Sequence, residues 1–231
     1  EFRRVLFRSV EEEKTPTEAE KKAAAKKKKQ LKTQLHILNP LKGKMHVFDR
    51  VDDFDVARKG GHIAFTQVMK DSLDTTTVYT FNPKTEKAGP ILETIGEIKR
   101  LNLDYDGQQL AFLLSEDTTK TKTYDLMMWK EGIAEARAIV TEKTEGIKDG
   151  WCPSKNKKPY FSEDGTKLFF GTAPKPTPEE KNDTLLDEEK YHVDIWNWKD
   201  KRLQPHQKKQ AKRDLKKTYL AVYHIKKGHA V

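Results

Sequence analysis

The chain has 231 residues, which suits one domain, two small ones or a part of a larger protein. Charged residues make up 35% and hydrophobic residues 35%, with a mean hydropathy of −0.87, so any core is modest; no apolar run reaches eighteen residues, which excludes a membrane-spanning helix, and the single Cys152 excludes an internal disulfide or an all-cysteine zinc site. The net charge of +9 is uneven: residues 1–9 carry +2, 10–35 carry +3 and 201–231 carry +9, leaving −5 for 36–200, whereas a nucleic-acid-binding domain spreads basic residues over a folded face.

In chain order, Glu1–Ser9 resembles an in-frame translation of a sequencing-adapter oligonucleotide and is set apart from the fold as an artefact. No initiator Met precedes it and no signal-peptide pattern follows, so the native start and any export signal are expected to be missing, and both ends read as cut. Residues 10–36 form a charged tract. Thr17-Glu18-Ala19-Glu20 has the form of a capping box ahead of an Ala- and Lys-rich stretch, which predicts a solvated helix over 17–35 or a disordered basic segment. The run Lys26–Lys29 reads as solvated charge, with contact to phosphates or a membrane surface as the alternative.

A repeat follows. Gly60 precedes Phe65, Gly107 precedes Phe112 and Gly165 precedes Phe170, each by five positions, with the glycines 47 and then 58 residues apart. A short alternating stretch precedes each glycine: Phe54-Asp55-Val56, Leu101 to Tyr105, and Pro159-Tyr160-Phe161. An aromatic-rich run follows each unit after a polar gap: Val78 to Phe81, Tyr124 to Trp129, and Val193 to Trp198. Asp-Gly, or Lys59-Gly60-Gly61 in the first copy, supplies the positive φ of a tight hairpin turn. Ile91 to Thr94 and Ala138 to Val140 can each add a fourth strand. A four-stranded meander of about 40–50 residues has the size of one propeller blade.

The predicted fold class is therefore all-β, a partial β-propeller of about three to four four-stranded antiparallel blades, with short helices near 17–35 and 206–217. Residues 37–231 form the propeller part. Its blades are expected around 45–95, 96–142 and 157–200, with a further blade starting at 218–231, and a Lys-rich loop is expected around Trp151–Ser154. An ordinary antiparallel sandwich is the alternative.

Phe48, Val51, Phe54-Asp55-Val56, Gly60 and Ile63-Ala64-Phe65, together with Ser162 to Phe170, resemble the propeller of the prolyl oligopeptidase family of serine peptidases. His192-Val193-Asp194-Ile195-Trp196-Asn197-Trp198-Lys199-Asp200, with Leu203-Gln204-Pro205 and Gln207, is similar to large bacterial members. The resemblance covers about residues 37–231. It implies an N-terminal propeller that filters peptides for a C-terminal α/β-hydrolase domain carrying Ser, Asp and His, and a periplasmic or secreted setting. The serines stand at 9, 72, 115, 154 and 162, none with Gly two residues before or after, so no nucleophile elbow is present and no catalytic residue is assigned.

Other candidates have plainer explanations. Asp187-Glu188-Glu189 is a carboxylate cluster that suits a peptide amino terminus but reads as solvated loop. Trp196 and Trp198 share one strand face and read as packing residues. Histidines 36, 46, 62, 192, 206, 224 and 229 show no ligand spacing, so no metal or cofactor site is expected. Cys152 reads as a passive loop thiol, with activation by Lys148 and Lys155 as the alternative. Lys208, Lys209, Lys212, Arg213, Lys216 and Lys217 fall on several faces of a helix and define no binding stripe. The leading expectation is the substrate-gating propeller portion of a serine-type oligopeptidase or dipeptidyl-peptidase-like enzyme, partnered by a hydrolase domain absent from this chain and by a peptide. A non-enzymatic propeller scaffold that binds proteins is the alternative. Open blade edges are expected to promote self-association.

Overall fold

A computed structural model describes residues 33–70, 74–119, 121–177 and 197–231. A hairpin of β1 (Gln34–Asn39) and β2 (Lys44–Asp49) is followed by three antiparallel sheets. The first contains β3 (Val51–Val56), β4 (Ile63–Lys70), β5 (Asp74–Asn82) and β6 (Lys87–Thr94), and the second β7 (Glu97–Leu103), β8 (Gln109–Ser115), β9 (Asp125–Lys130) and β10 (Arg137–Val140). Both are meanders in which chain order is spatial order. In the third, β11 (Trp151–Pro153) and β12 (Tyr160–Phe161) share one edge of β13 (Lys167–Pro174), while β14 (Tyr219–His224) and β15 (His229–Ala230) follow on the other.

The sheets stack face on face in chain order, and the repeat in the sequence explains how. Side chains alternate across a strand, so a strand between two neighbouring layers must be apolar on both faces. In β8, Leu110, Phe112 and Leu114 join Ala64, Val78 and Ile91 of the first sheet in one core cluster. Ala111 and Leu113, on the opposite face, join Leu168, Phe170 and Ala221 of the third. Phe65 of β4 packs likewise with Leu35 and Ile37 of the hairpin. Phe65, Phe112 and Phe170 are each fully buried, five residues after their glycine, on the face turned to the preceding layer. Equivalent residues thus hold equivalent places in successive sheets. The architecture is a partial β-propeller.

The glycine turns stack as well. Gly60, Gly61, Gly107 and Gly165 all have positive φ. In the second and third turns the residue three before the glycine caps the strand that follows. Asp104 Oδ1 accepts from Gln109 N at 3.1 Å, and Ser162 Oγ accepts from Lys167 N at 2.9 Å. The first turn has Ala57 at that place, with no side-chain oxygen. There the matching amide, His62 N, instead donates to the carbonyl of Gly107 at 3.2 Å. A buried amide needs some acceptor, and the neighbouring sheet provides it. Lys59 N to Tyr105 O (3.0 Å) and Gln109 Nε2 to Gly165 O (3.0 Å) continue the contacts from turn to turn.

Some expectations are corrected by the structure, and others fall outside the described residues. The helix expected over 17–35 lies outside the described residues except at its end, where Gln34 and Leu35 already belong to β1. The β1–β2 hairpin was not foreseen, and a boundary at residue 36 falls inside β1. The loop expected at Trp151–Ser154 contains β11, which pairs in register with β13. Val193–Trp196 lies outside the described residues; Asn197 and Trp198 enter a turn, with Trp198 86% exposed rather than packed. The place beside β13 is taken by β14, whose Ala221 and Tyr223 face the second sheet over Phe170 and Leu168, so residues 219–230 complete the third sheet instead of opening another. The second helix, α1, runs Gln204–Asp214, with Pro205 in its first turn, Lys212 and Arg213 in its last, and no buried residue.

A polar latch holds the hairpin to the first sheet. Glu86, in the β5–β6 turn, accepts from Lys44 Nζ at 2.8 Å, Lys42 Nζ at 2.9 Å and Asn39 Nδ2 at 3.2 Å. Its backbone is left-handed, with φ 55°. The hydrogen bonds from Lys44 and Lys42 lower its carboxyl from 4.5 to about 2. A carboxyl depressed by folding contributes stability fully above its unfolded value, and that contribution is lost as pH falls through the folded value. Wild type should therefore melt higher than Glu86→Gln above pH 4.5, with the difference closing as pH drops toward 2. Melts of the two proteins across that range check this; a difference independent of pH would show that the Glu86 charge is not what latches the hairpin.

Candidate functional site

The first strands of the three sheets converge. β3 and β4 touch β7, and β12 touches β7 in turn. Lys158 of the third sheet reaches past the second to pair with Asp55 of the first at 2.8 Å. These contacts bring the first strands of the three sheets side by side, and this edge of the stack is called the inner edge.

All three inner strands are broken at the same level. From Val51 to Phe54, β3 takes three steps against two on β4, which places a bulge at Asp52-Asp53. From Lys99 to Asn102, β7 takes three steps against two on β8, which places a bulge at Arg100-Leu101. Asp53 and Arg100 both stand seven residues before their repeat glycine. In the third sheet the break widens: Pro153 to Tyr160 spans seven steps against three on β13, and the extra residues make an excursion carrying Lys155, Lys157 and Lys158. Lys158 is again seven before its glycine. Acidic side chains thus mark this level in the first sheet and basic ones in the second and third.

Hydrogen bonds and ion pairs tie these breaks together. Lys99 Nζ lies 3.4 Å from Asp52 Oδ2 and 3.6 Å from Glu97 Oε1. Asp55 accepts from Lys158 and, through Oδ2, from Leu103 N at 2.7 Å. Arg100 Nε donates to Lys155 O at 3.0 Å. Below this level, Glu97 accepts from Lys122 at 2.9 Å and from the Tyr124 hydroxyl at 2.9 Å. Burial pushes the Glu97 carboxyl up, but the bonds from Lys122 and Tyr124 outweigh it and the net shift is downward. Burial first, then the bond to Glu97, raises Tyr124 well above its ordinary 10. Tyr124 stays protonated and donates to Glu97, so the edge provides hydrogen bonds and charge.

The residues singled out in the sequence do not gather here. Asp187, Glu188, Glu189, Trp196, His192 and Lys26–Lys29 lie outside the described residues. Cys152 is buried on β11, and burial pushes its thiol above the ordinary value, the opposite direction to activation. His62 packs edge-on against Trp129 at 5.3 Å, with Nδ1 3.0 Å from Gly107 O; His224 and His229 stack on each other at 5.1 Å. Among the described residues no three His, Cys, Asp or Glu side chains form a group that could hold a metal ion, and no helix is long and apolar enough to cross a membrane. Arg100 was missed in the sequence. Its signal, a charged residue at a fixed distance before a repeat glycine, becomes readable only once the three copies are aligned.

No family model matches the chain, and no curated protein matches it. Among solved structures, the chain is similar to TolB from Acinetobacter baumannii at 12% identity and a TM-score of 0.42, covering 86% of this chain and 37% of that one. It is similar to the tricorn protease at 15% identity and a TM-score of 0.42, covering 65% and 14%. Similarity to the β-propeller domain of the Trilobed protease from Pyrococcus furiosus is 12% in identity with a TM-score of 0.31, covering 62% and 56%. The chain therefore spans 37% or less of the length of the first two, and likeness at this level fixes neither activity nor partners.

Proposed function

We propose that this chain is the propeller part of a serine-type oligopeptidase-like protein, running from β1 onward, and that its inner edge admits an extended peptide to a separate α/β-hydrolase domain. The observation that carries this reading is the alignment of the three inner-strand breaks. Each removes a stretch of strand from regular pairing at one level and places charged side chains there. An extended peptide presents backbone donors, acceptors and charged termini, and charge-assisted hydrogen bonds are the interactions that discriminate them. The resemblance of the Trp-rich string and of the glycine repeats to the prolyl oligopeptidase family supports the same assignment. Hydrolysis belongs to the other domain, because no serine here has the glycine neighbours of a nucleophile elbow.

The coding sequence beyond Val231 tests the reading. A Gly-x-Ser-x-Gly elbow should follow, with Asp and then His after it. The 231-residue chain itself should show no turnover of short peptides above buffer. Continuation through further Asp-Gly sheets with no elbow would replace the peptidase by a protein-binding scaffold, and turnover by the isolated chain would contradict the division of labour.

A further inference from the structure

We propose that Arg100 anchors a carboxylate-binding site at the inner edge, taking the free C-terminal carboxylate or an acidic side chain of an extended peptide. The proposal rests on the peptide-admitting reading above. Arg100 has φ 64°, a left-handed backbone that L-residues with a Cβ adopt at a cost in free energy. Residues kept in that region concentrate at ligand-binding positions. The bulge that imposes it brings the exposed side chain beside the third sheet's excursion, where Nε is spent on the Lys155 carbonyl. Among the described residues no carboxylate pairs with the two terminal nitrogens of Arg100.

Carboxylates answer only some of the cations around Arg100. Lys99 is answered by Asp52 and Glu97, and Lys158 by Asp55. Lys155 sits over the Tyr124 ring at 5.7 Å, which attracts its ammonium without neutralising it. Among the described residues, positive charge that no carboxylate answers therefore gathers on Arg100 and on Lys155 and Lys157 of the excursion beside it. With Nε occupied, the guanidinium is oriented, and its two terminal N–H groups form the parallel pair that a carboxylate accepts in bidentate fashion.

Saturation-transfer difference NMR on the whole chain tests this, since it reads the peptide and tolerates self-associated protein. Three probes are compared: acetyl-Ala-Ala-Ala with a free carboxylate, its C-terminal amide, and acetyl-Ala-Glu-Ala amide. The free acid should bind at least about tenfold tighter than the neutral amide. Binding of the Glu peptide as well assigns the site to carboxylates of either origin; its failure to bind assigns the site to the chain terminus. Arg100→Lys should lose most of the preference, because a point charge does not replace the fork. Arg100→Gly should lose it entirely while melting no lower than wild type, since glycine suits the left-handed backbone. Equal binding of acid and amide, or an unchanged preference in Arg100→Gly, would overturn the proposal. A carboxylate preference found together with no hydrolase downstream would keep the site and remove the gating role; an elbow found together with no preference would do the reverse.

Discussion

Gly107→Ala is expected to destabilise the chain by about 3 kcal/mol or more, measured as a lower urea midpoint at unchanged slope. Two effects add. Residue 107 has φ 70°, which any L-side chain resists. A Cβ there would also lie 2.6 Å from Gly60 O, 2.8 Å from His62 N and 2.9 Å from Ala57 Cβ, and the first two are backbone atoms of the neighbouring sheet's turn. They have no rotamer by which to move away. Gly61→Ala should behave similarly, because its Cβ would lie 2.2 Å from Asp106 O. Gly60→Ala is the control. Its φ of 97° is just as unfavourable, but nothing lies within 4 Å of a Cβ, so only the conformational cost of about 1–2 kcal/mol applies. If the three variants cost the same, the turns do not stack and the contact between the first and second sheets is not as described.

Phe112→Ala, Phe65→Ala and Phe170→Ala should each cost about 3–5 kcal/mol, the range for removing a fully buried ring from a packed core. The agreement among the three carries more information than the size of any one. They lie in three separate clusters, between hairpin and first sheet, first and second, and second and third. Equal penalties follow only if each ring performs the same task between successive layers. Phe112→Leu should cost about 1–2 kcal/mol, because part of the volume is kept. A member of the alanine series costing under about 1 kcal/mol would identify a layer that is not packed against its predecessor.

The repeat was legible because it is encoded in single residues. Positive φ demands glycine, and the ring five positions on must fill the gap to the preceding layer, so Gly60, Gly107 and Gly165 each report a turn and a core position together. The β1–β2 hairpin was hidden because Leu35 and Ile37 follow directly on a Lys-rich tract, so their alternation had no visible beginning. Choosing the strand beside β13 was beyond the sequence: Val193–Trp198 and Tyr219–His224 both alternate, and the pairing of Tyr219–His224 with β13, which sets Ala221 and Tyr223 opposite Phe170 and Leu168, is a long-range contact that neither run announces. β11 escaped notice because Pro153 reads as a loop residue, yet at the sheet edge its missing N–H costs no ladder bond. The inner-edge site was illegible for a related reason. A bulge is a mismatch between two strands, and nothing in Lys99-Arg100-Leu101 alone announces it.

The most direct measurement of the stacked, repeating architecture is a set of methyl–aromatic NOEs from the rings of Phe112 and Phe170 in the whole chain. The Phe112 ring should show cross-peaks to methyls of the first sheet, among them Ala64, Val78 and Ile91, and the Phe170 ring to methyls of the second, among them Leu113 and Leu126. Rings that report only methyls of their own sheets would contradict the account, and with it the side-by-side first strands that form the inner edge.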